Sequence, residues 1–121
     1  MEYLSRVQDR RRSTRLSVNC PVNYARFDNR EHPSDQIPSR SIDLSSKGVR
    51  LKTGFRVESG QMLKITMSLG DNLVTFRGKV VHVNPSKDEG FEMGISIEEM
   101  EDQSRIALTR FLIRRLQTEE I

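Results

Sequence analysis

Residues 16–24 alternate strictly, with Leu16, Val18, Cys20, Val22 and Tyr24 on one parity and Ser17, Asn19, Pro21 and Asn23 on the other. A period of two places these sets on opposite faces of a strand, with the proline on the polar side. The pattern recurs. A strand over 41–45 turns at Ser46-Lys47-Gly48 and returns with Val49 and Leu51 inward. After a Glu58-Ser59-Gly60 turn, Leu63, Ile65, Met67 and Leu69 alternate with Lys64, Thr66 and Ser68. Gly70-Asp71 then suits a tight hairpin that needs positive φ at its first central position.

The return through Val74, Phe76, Gly78 and Val80 changes parity to Val81 and Val83, which predicts a bulge near 78–81 or burial of both faces. A last strand sets Phe91, Met93, Ile95 and Ile97 against Glu92, Gly94, Ser96 and Glu98. The period then becomes helical. Leu108, Phe111, Leu112 and Leu116 recur at three and four, predicting an amphipathic helix over about 102–118 with Asp102 as its N-cap. Its Arg105, Arg110, Arg114 and Arg115 read as a solvated face. Residues 28–40, with Pro33 and Pro38, lack periodicity and read as a long mobile loop that carries His32.

Six strands with short turns and one terminal helix predict an all-β-dominated fold: a six-stranded antiparallel barrel, closed on itself and capped by a C-terminal helix. At 121 residues the chain is read as one domain over 16–121, preceded by a flexible N-terminal arm, residues 1–15. The first six residues lack the apolar run of a signal peptide, and no stretch approaches a membrane span. The expectation is a cytoplasmic protein that does not insert into membrane. The single Cys20 agrees with a reducing compartment, and its apolar parity makes it a small buried hydrophobe.

Charge separates arm from body. Residues 1–15 hold five arginines against two acids, a net +3, while the remainder balances fifteen against fifteen. A short basic arm on a neutral body suits a compact polyanion better than a surface that tracks nucleic acid. Enzymatic chemistry finds no support. His32 and His82 have no ligand or nucleophile at a recognised spacing, so no catalytic residue and no metal site are expected.

Two strings carry chemistry. Arg11 and Arg15, in Asp9-Arg10-Arg11-Arg12-Ser13-Thr14-Arg15, are spaced four apart, so two guanidinium forks can close over a planar anion. Asp43-Leu44-Ser45-Ser46-Lys47-Gly48 puts Asp43 and Ser45 on one strand face, opposite Ile42 and Leu44, before a turn that Gly48 can relax. Guanine presents O6 and N7 to a guanidinium fork, and N1–H and N2–H to a carboxylate. A ligand with guanines and phosphodiesters would meet all of these groups.

Arg-x-x-x-Arg before the first strand, followed by Asp-x-Ser-x-x-Gly at the second, resembles the signature of the PilZ domain. The resemblance runs from about Arg10 to Leu116, and Phe91–Ile97 is similar to that family's last strand. It implies a non-catalytic receptor for the bacterial second messenger cyclic di-GMP, with no cofactor and with output through a downstream protein partner that the sequence does not identify. Arg11 and Arg15 would clamp phosphate and guanine, Asp43 and Ser45 would hold a guanine edge, and Gly48 would shape the turn. Family members with arginine at the position of Arg10 tend to bind a stacked ligand dimer, which implies two ligands per chain. The arm would close over the ligand and alter a partner-binding surface.

Two other readings stay open. A small barrel with a basic arm can bind single-stranded nucleic acid, although Tyr24, Phe76 and Phe91 fall on inward parities and there is no Trp. A ligand-independent adaptor could dock an acidic partner through its arm.

Overall fold

The computed structural model describes residues 15–27, 30, 32 and 34–119. Seven strands form one antiparallel sheet: β1 Leu16–Ser17, β2 Pro21–Arg26, β3 Ile37–Leu44, β4 Gly48–Thr53, β5 Met62–Leu69, β6 Asn72–Pro85 and β7 Phe91–Met100, followed by helix α1, Asp102–Glu119. The circuit β3-β2-β5-β6-β7-β4 closes through a β3–β4 pairing, so six strands make a barrel and β1 adds to β3. Closure removes the edges that a twisted open sheet would expose.

The alternation over residues 16–24 holds, but it spans two strands. Leu16 and Ser17 pair with Leu44 and Asp43, whereas Pro21–Tyr24 pair with Arg40–Ile37 at a register one residue different. Ser41 joins the break: its hydroxyl donates to the Val18 carbonyl and accepts from the Cys20 amide at 2.9 Å. Inward positions fill the core with Leu16, Val18, Cys20, Val22 and Tyr24. The Tyr24 hydroxyl is satisfied by Thr53 Oγ1 at 2.6 Å.

The segment expected to be loop through residue 40 already enters β3 at Ile37, and Pro38 lies within that strand opposite Asn23. Proline interrupts the 28–40 pattern by removing a donor, yet the neighbouring pairs of Ile37 with Tyr24, Ser39 with Val22 and Arg40 with Pro21 hold it in the ladder. The parity change in β6 is a bulge: the register with β7 shifts between Val80 and His82, which leaves Val81 exposed and Val83 half-buried. Turn chemistry is as read, with Gly60 at φ 93° and Gly70 at φ 61°.

α1 lays Leu108 and Leu112 into the barrel core, with Phe111 and Leu116 packed beside them. Fully burying one such leucine contributes about 1.5–3 kcal/mol. The first helical bond runs from Arg105 N–H to the Glu101 carbonyl, so Asp102 sits inside the first turn rather than capping it. There its carboxylate meets the positive end of the helix dipole. Two helix arginines are not simply solvated: Arg105 donates to the Ser46 carbonyl at 2.7 Å and Arg115 to the Ser17 carbonyl at 3.0 Å. No described helix is long and apolar enough to cross a membrane.

Candidate functional site: an arginine–aspartate cluster on the barrel wall

Strand register decides which side chains meet. Leu16, Leu44, Val49, Ile95 and Val80 stand directly opposite one another across β1, β3, β4, β7 and β6, and all five are buried. The neighbouring row points the other way and reads Ser17, Asp43, Arg50, Gly94, His82. Directly opposed residues of antiparallel strands share a face. Asp43 therefore lies on the outer wall of the barrel, with Ser17 on one side and Arg50 on the other.

A bulge fixes this orientation. The β3–β4 register shifts between Ser41 and Asp43, with Ile42 as the extra residue. Ser41 can then point inward beside Leu51 while Asp43 points outward beside Arg50. The reading that set Asp43 opposite Leu44 holds. Ile42 does not accompany Leu44 into the core; it is half-buried at the bulge.

The Asp43 carboxylate is shared by two arginines. Arg15 Nη1 donates to Oδ1 at 2.9 Å, and Arg50 Nη2 lies 2.6 Å from Oδ2. The Asp43 side chain is only 9% exposed, while Arg15 and Arg50 are 45% and 40% exposed. The carboxylate is thus enclosed and its partners reach out to solvent. Glu92 adds a second, longer contact to Arg50 Nη1 at 3.7 Å. An ionised carboxylate has about four lone-pair sites, so two guanidinium contacts leave acceptor capacity.

Ser45 and Gly48 do other local work. Ser45 Oγ accepts from the backbone amides of Lys47 and Gly48, both at 3.2 Å, and Ser45 N–H donates to the Gly48 carbonyl at 2.9 Å. The hydroxyl closes the β3–β4 turn. Gly48 does not adopt positive φ; its constraint is proximity, because a Cβ there would overlap the Ile95 carbonyl of β7. Contrary to the expectation that Gly48 relaxes the turn's conformation, what excludes a side chain there is the close approach of the β7 backbone.

Of the six residues singled out in the sequence, Arg15 and Asp43 meet directly and Ser45 and Gly48 form the adjoining turn. Arg10 and Arg11 lie outside the described residues, as does the arm before Arg15. Arg50 was missed. It was recoverable: a hairpin that pairs Leu44 with Val49 must also pair Asp43 with Arg50. Gly94 and His82 complete the row, the imidazole filling the space that a Cβ on Gly94 would occupy. Among the described residues no group of three or more His, Cys, Asp or Glu side chains could hold a metal ion. Phe55 is 60% exposed, so one ring does face solvent.

The PilZ domain family matches residues 9–114. Among solved structures, the chain is similar to the Bacillus subtilis inhibitor of motility MotI/DgrA, with TM-score 0.75 and 19% identity over 88% of this chain and 51% of that one. The chain thus spans about half the length of that protein. It is also similar to the PilZ domain of YcgR from Escherichia coli, solved with c-di-GMP, at TM-score 0.65 and 14% identity over 88% of this chain and 91% of that one. The PilZ domain of CeSA from a cellulose-synthesizing bacterium gives TM-score 0.60 and 17% identity over 86% and 98%. No match was found among curated proteins.

Proposed function

The chain belongs to the PilZ domain family, and from that premise we propose that it is a non-catalytic receptor for cyclic di-GMP, bound on the outer wall of the barrel around Asp43. The observation that carries this reading is the pairing of Arg15 with Asp43, which brings the last arginine of the first motif onto the aspartate of the second across 28 residues of chain. The two motifs thereby contribute to one surface.

Arg15 and Arg11 supply forks for the Hoogsteen edge of guanine and for the phosphodiesters, and their planes can stack on a purine. Asp43 accepts from guanine N1–H and N2–H with its remaining lone pairs while Arg15 and Arg50 keep hold of the carboxylate. Ser45 reaches the ligand from the edge of the turn it closes, and Gly48 keeps that turn against β7.

Residues 1–15 close over the bound nucleotide, and Arg10 adds a third planar cation that favours a second, stacked ligand. Closure alters the surface offered to a downstream protein. Calorimetric titration with cyclic di-GMP, beside linear dinucleotide and mononucleotide controls, tests the assignment. Selective binding of the cyclic ligand is the expected result; no heat with any of the three would leave the Arg15–Asp43 pair as a structural contact and the chain as a ligand-independent adaptor. Hydrogen exchange over residues 10–15, with and without ligand, tests closure separately.

A further inference from the structure

A groove of about 500 Å³ runs between α1 and the β5–β6 hairpin, and none of its lining residues belongs to the arginine–aspartate cluster. Ile106, Ala107 and Phe111 line it from the helix, with Arg110 and Arg114 beside them and Asp71 of the hairpin as its only acid. Ile106 is 51% exposed although it lies on a well-formed helix whose other side supplies Leu108 and Leu112 to the core. Ile106 is therefore left over after the helix has satisfied the barrel, while Ala107 and Phe111 pack partly against the core and show their remaining surface to the groove.

Positions 106, 107, 110, 111 and 114 follow helical spacing, so they form one stripe about 12 Å long at 1.5 Å per residue. A stripe of that length matches about two turns of a helix laid alongside it. Its chemistry asks for apolar side chains against Ile106 and Phe111, and carboxylates against Arg110 and Arg114. A second copy of this chain is a poor occupant. Self-pairing about a two-fold axis at the middle of the stripe would set Arg110 against its own counterpart, and Arg110 has no ion-pair partner among the described residues to offset that. Nucleic acid is disfavoured because the groove's ring, Phe111, is half-buried against the core with the Arg115 guanidinium 5.9 Å from its centroid, and the exposed apolar residue beside it is the aliphatic Ile106.

We propose that this groove docks an acidic, amphipathic helix of a partner protein, through apolar side chains spaced i, i+3 or i+4 and carboxylates flanking them. The inference stands whether or not the barrel wall takes a nucleotide.

Selection of a random peptide display library against the whole chain tests it. Enriched peptides are expected to share apolar residues at helical spacing with Glu or Asp at the flanks. A synthetic peptide of the enriched sequence should lose about tenfold or more in affinity, by fluorescence anisotropy, to Arg110→Glu and to Ile106→Asp. Both positions face the groove rather than the core, and circular dichroism checks that each variant keeps its fold. No enrichment, enrichment of basic or aperiodic peptides, or equal affinity for the variants would overturn the proposal. So would tighter binding of a single-stranded RNA oligomer than of the peptide, or concentration-dependent self-association in sedimentation that Arg110→Glu and Ile106→Asp abolish.

Discussion

Asp43 and Arg50 stand opposite each other in the β3–β4 ladder, and the carboxylate Oδ2 lies 2.6 Å from Arg50 Nη2. A cross-strand ion pair at a solvent-accessible wall contributes little to folding by itself, about 0–1 kcal/mol once screening is counted. Its consequence is positional. Arg50 and Arg15 hold the carboxylate from two sides, so the group is set in place before any ligand arrives.

Arg50→Ala is therefore expected to weaken cyclic di-GMP binding about tenfold, the loss of one charge-assisted contact and of the carboxylate's fixed orientation. Lys52→Ala, two residues along the same strand and paired instead with Asp88, should leave affinity unchanged. Isothermal titration of both variants checks this, and equal affinities would remove Arg50 from the site.

Arg15→Ala and Asp43→Ala should each lower affinity about 10- to 150-fold, the equivalent of roughly 1.5–3 kcal/mol for a charge-assisted set. Asp43→Ala removes the acceptor common to both arginines. Circular dichroism serves as the control for fold. Wild-type affinity in both variants would end the cyclic di-GMP assignment.

Two glycines of the barrel wall should respond differently to alanine. Gly48→Ala meets the Ile95 backbone carbonyl, which cannot move without opening the β4–β7 ladder, and should cost about 1–3 kcal/mol in urea denaturation. Gly94→Ala meets the exposed His82 ring, a side chain that can rotate away. Its cost should be smaller, and the double variant with His82→Ala should recover most of it. A Gly94→Ala penalty that persists in the double variant would show that the strain lies in the backbone.

Cys20 gives a pH dependence. Burial pushes its thiol above the usual range, and the Ser41 hydroxyl at 3.2 Å together with Arg40 only partly opposes that. A raised folded-state pKa favours the protonated form, so this contribution to stability is complete below the unfolded thiol's pKa, about 8.5. It is lost as pH rises through the higher folded value. Urea denaturation between about pH 7 and pH 10 should show a decline that Cys20→Ala reduces. An identical decline in both proteins would assign the effect to other groups.

Arg10→Leu tests stoichiometry. With Arg11, Arg15 and Asp43 retained, loss of the extra planar cation should shift binding from two ligands per chain towards one. Titration at protein concentrations well above Kd reads the ratio directly. A one-to-one endpoint for the unmodified chain would discard the stacked pair without touching the receptor reading.

Local sequence carried a large part of the structure. Strict alternation located the inward set Leu63, Ile65, Met67 and Leu69, and the shift to three-and-four spacing located α1, because burial on one face imposes the element's own period on the chain. Gly60 and Gly70 announced their turns, since positive φ selects for residues without a Cβ. Pro38 misled the reading of residues 37–40, as intrinsic turn preference was overridden by pairing with β2.

The sequence by itself determined an alternating barrel chain, its terminal helix and two motifs whose side chains suit a guanine nucleotide. The tertiary structure decided how they meet. Register beyond one hairpin is a non-local property: the β3–β4 turn alone pairs Asp43 with Arg50, but the pairing of Ser17 with Asp43 and of Arg50 with Gly94 joins strands that no single turn connects. No pattern within a single strand reports on those ladders, so the full row of Ser17, Asp43, Arg50, Gly94 and His82 became visible only once they were aligned. The Gly48 contact with Ile95 has the same origin, arising between strands 47 residues apart in sequence (95 − 48) that the barrel brings together.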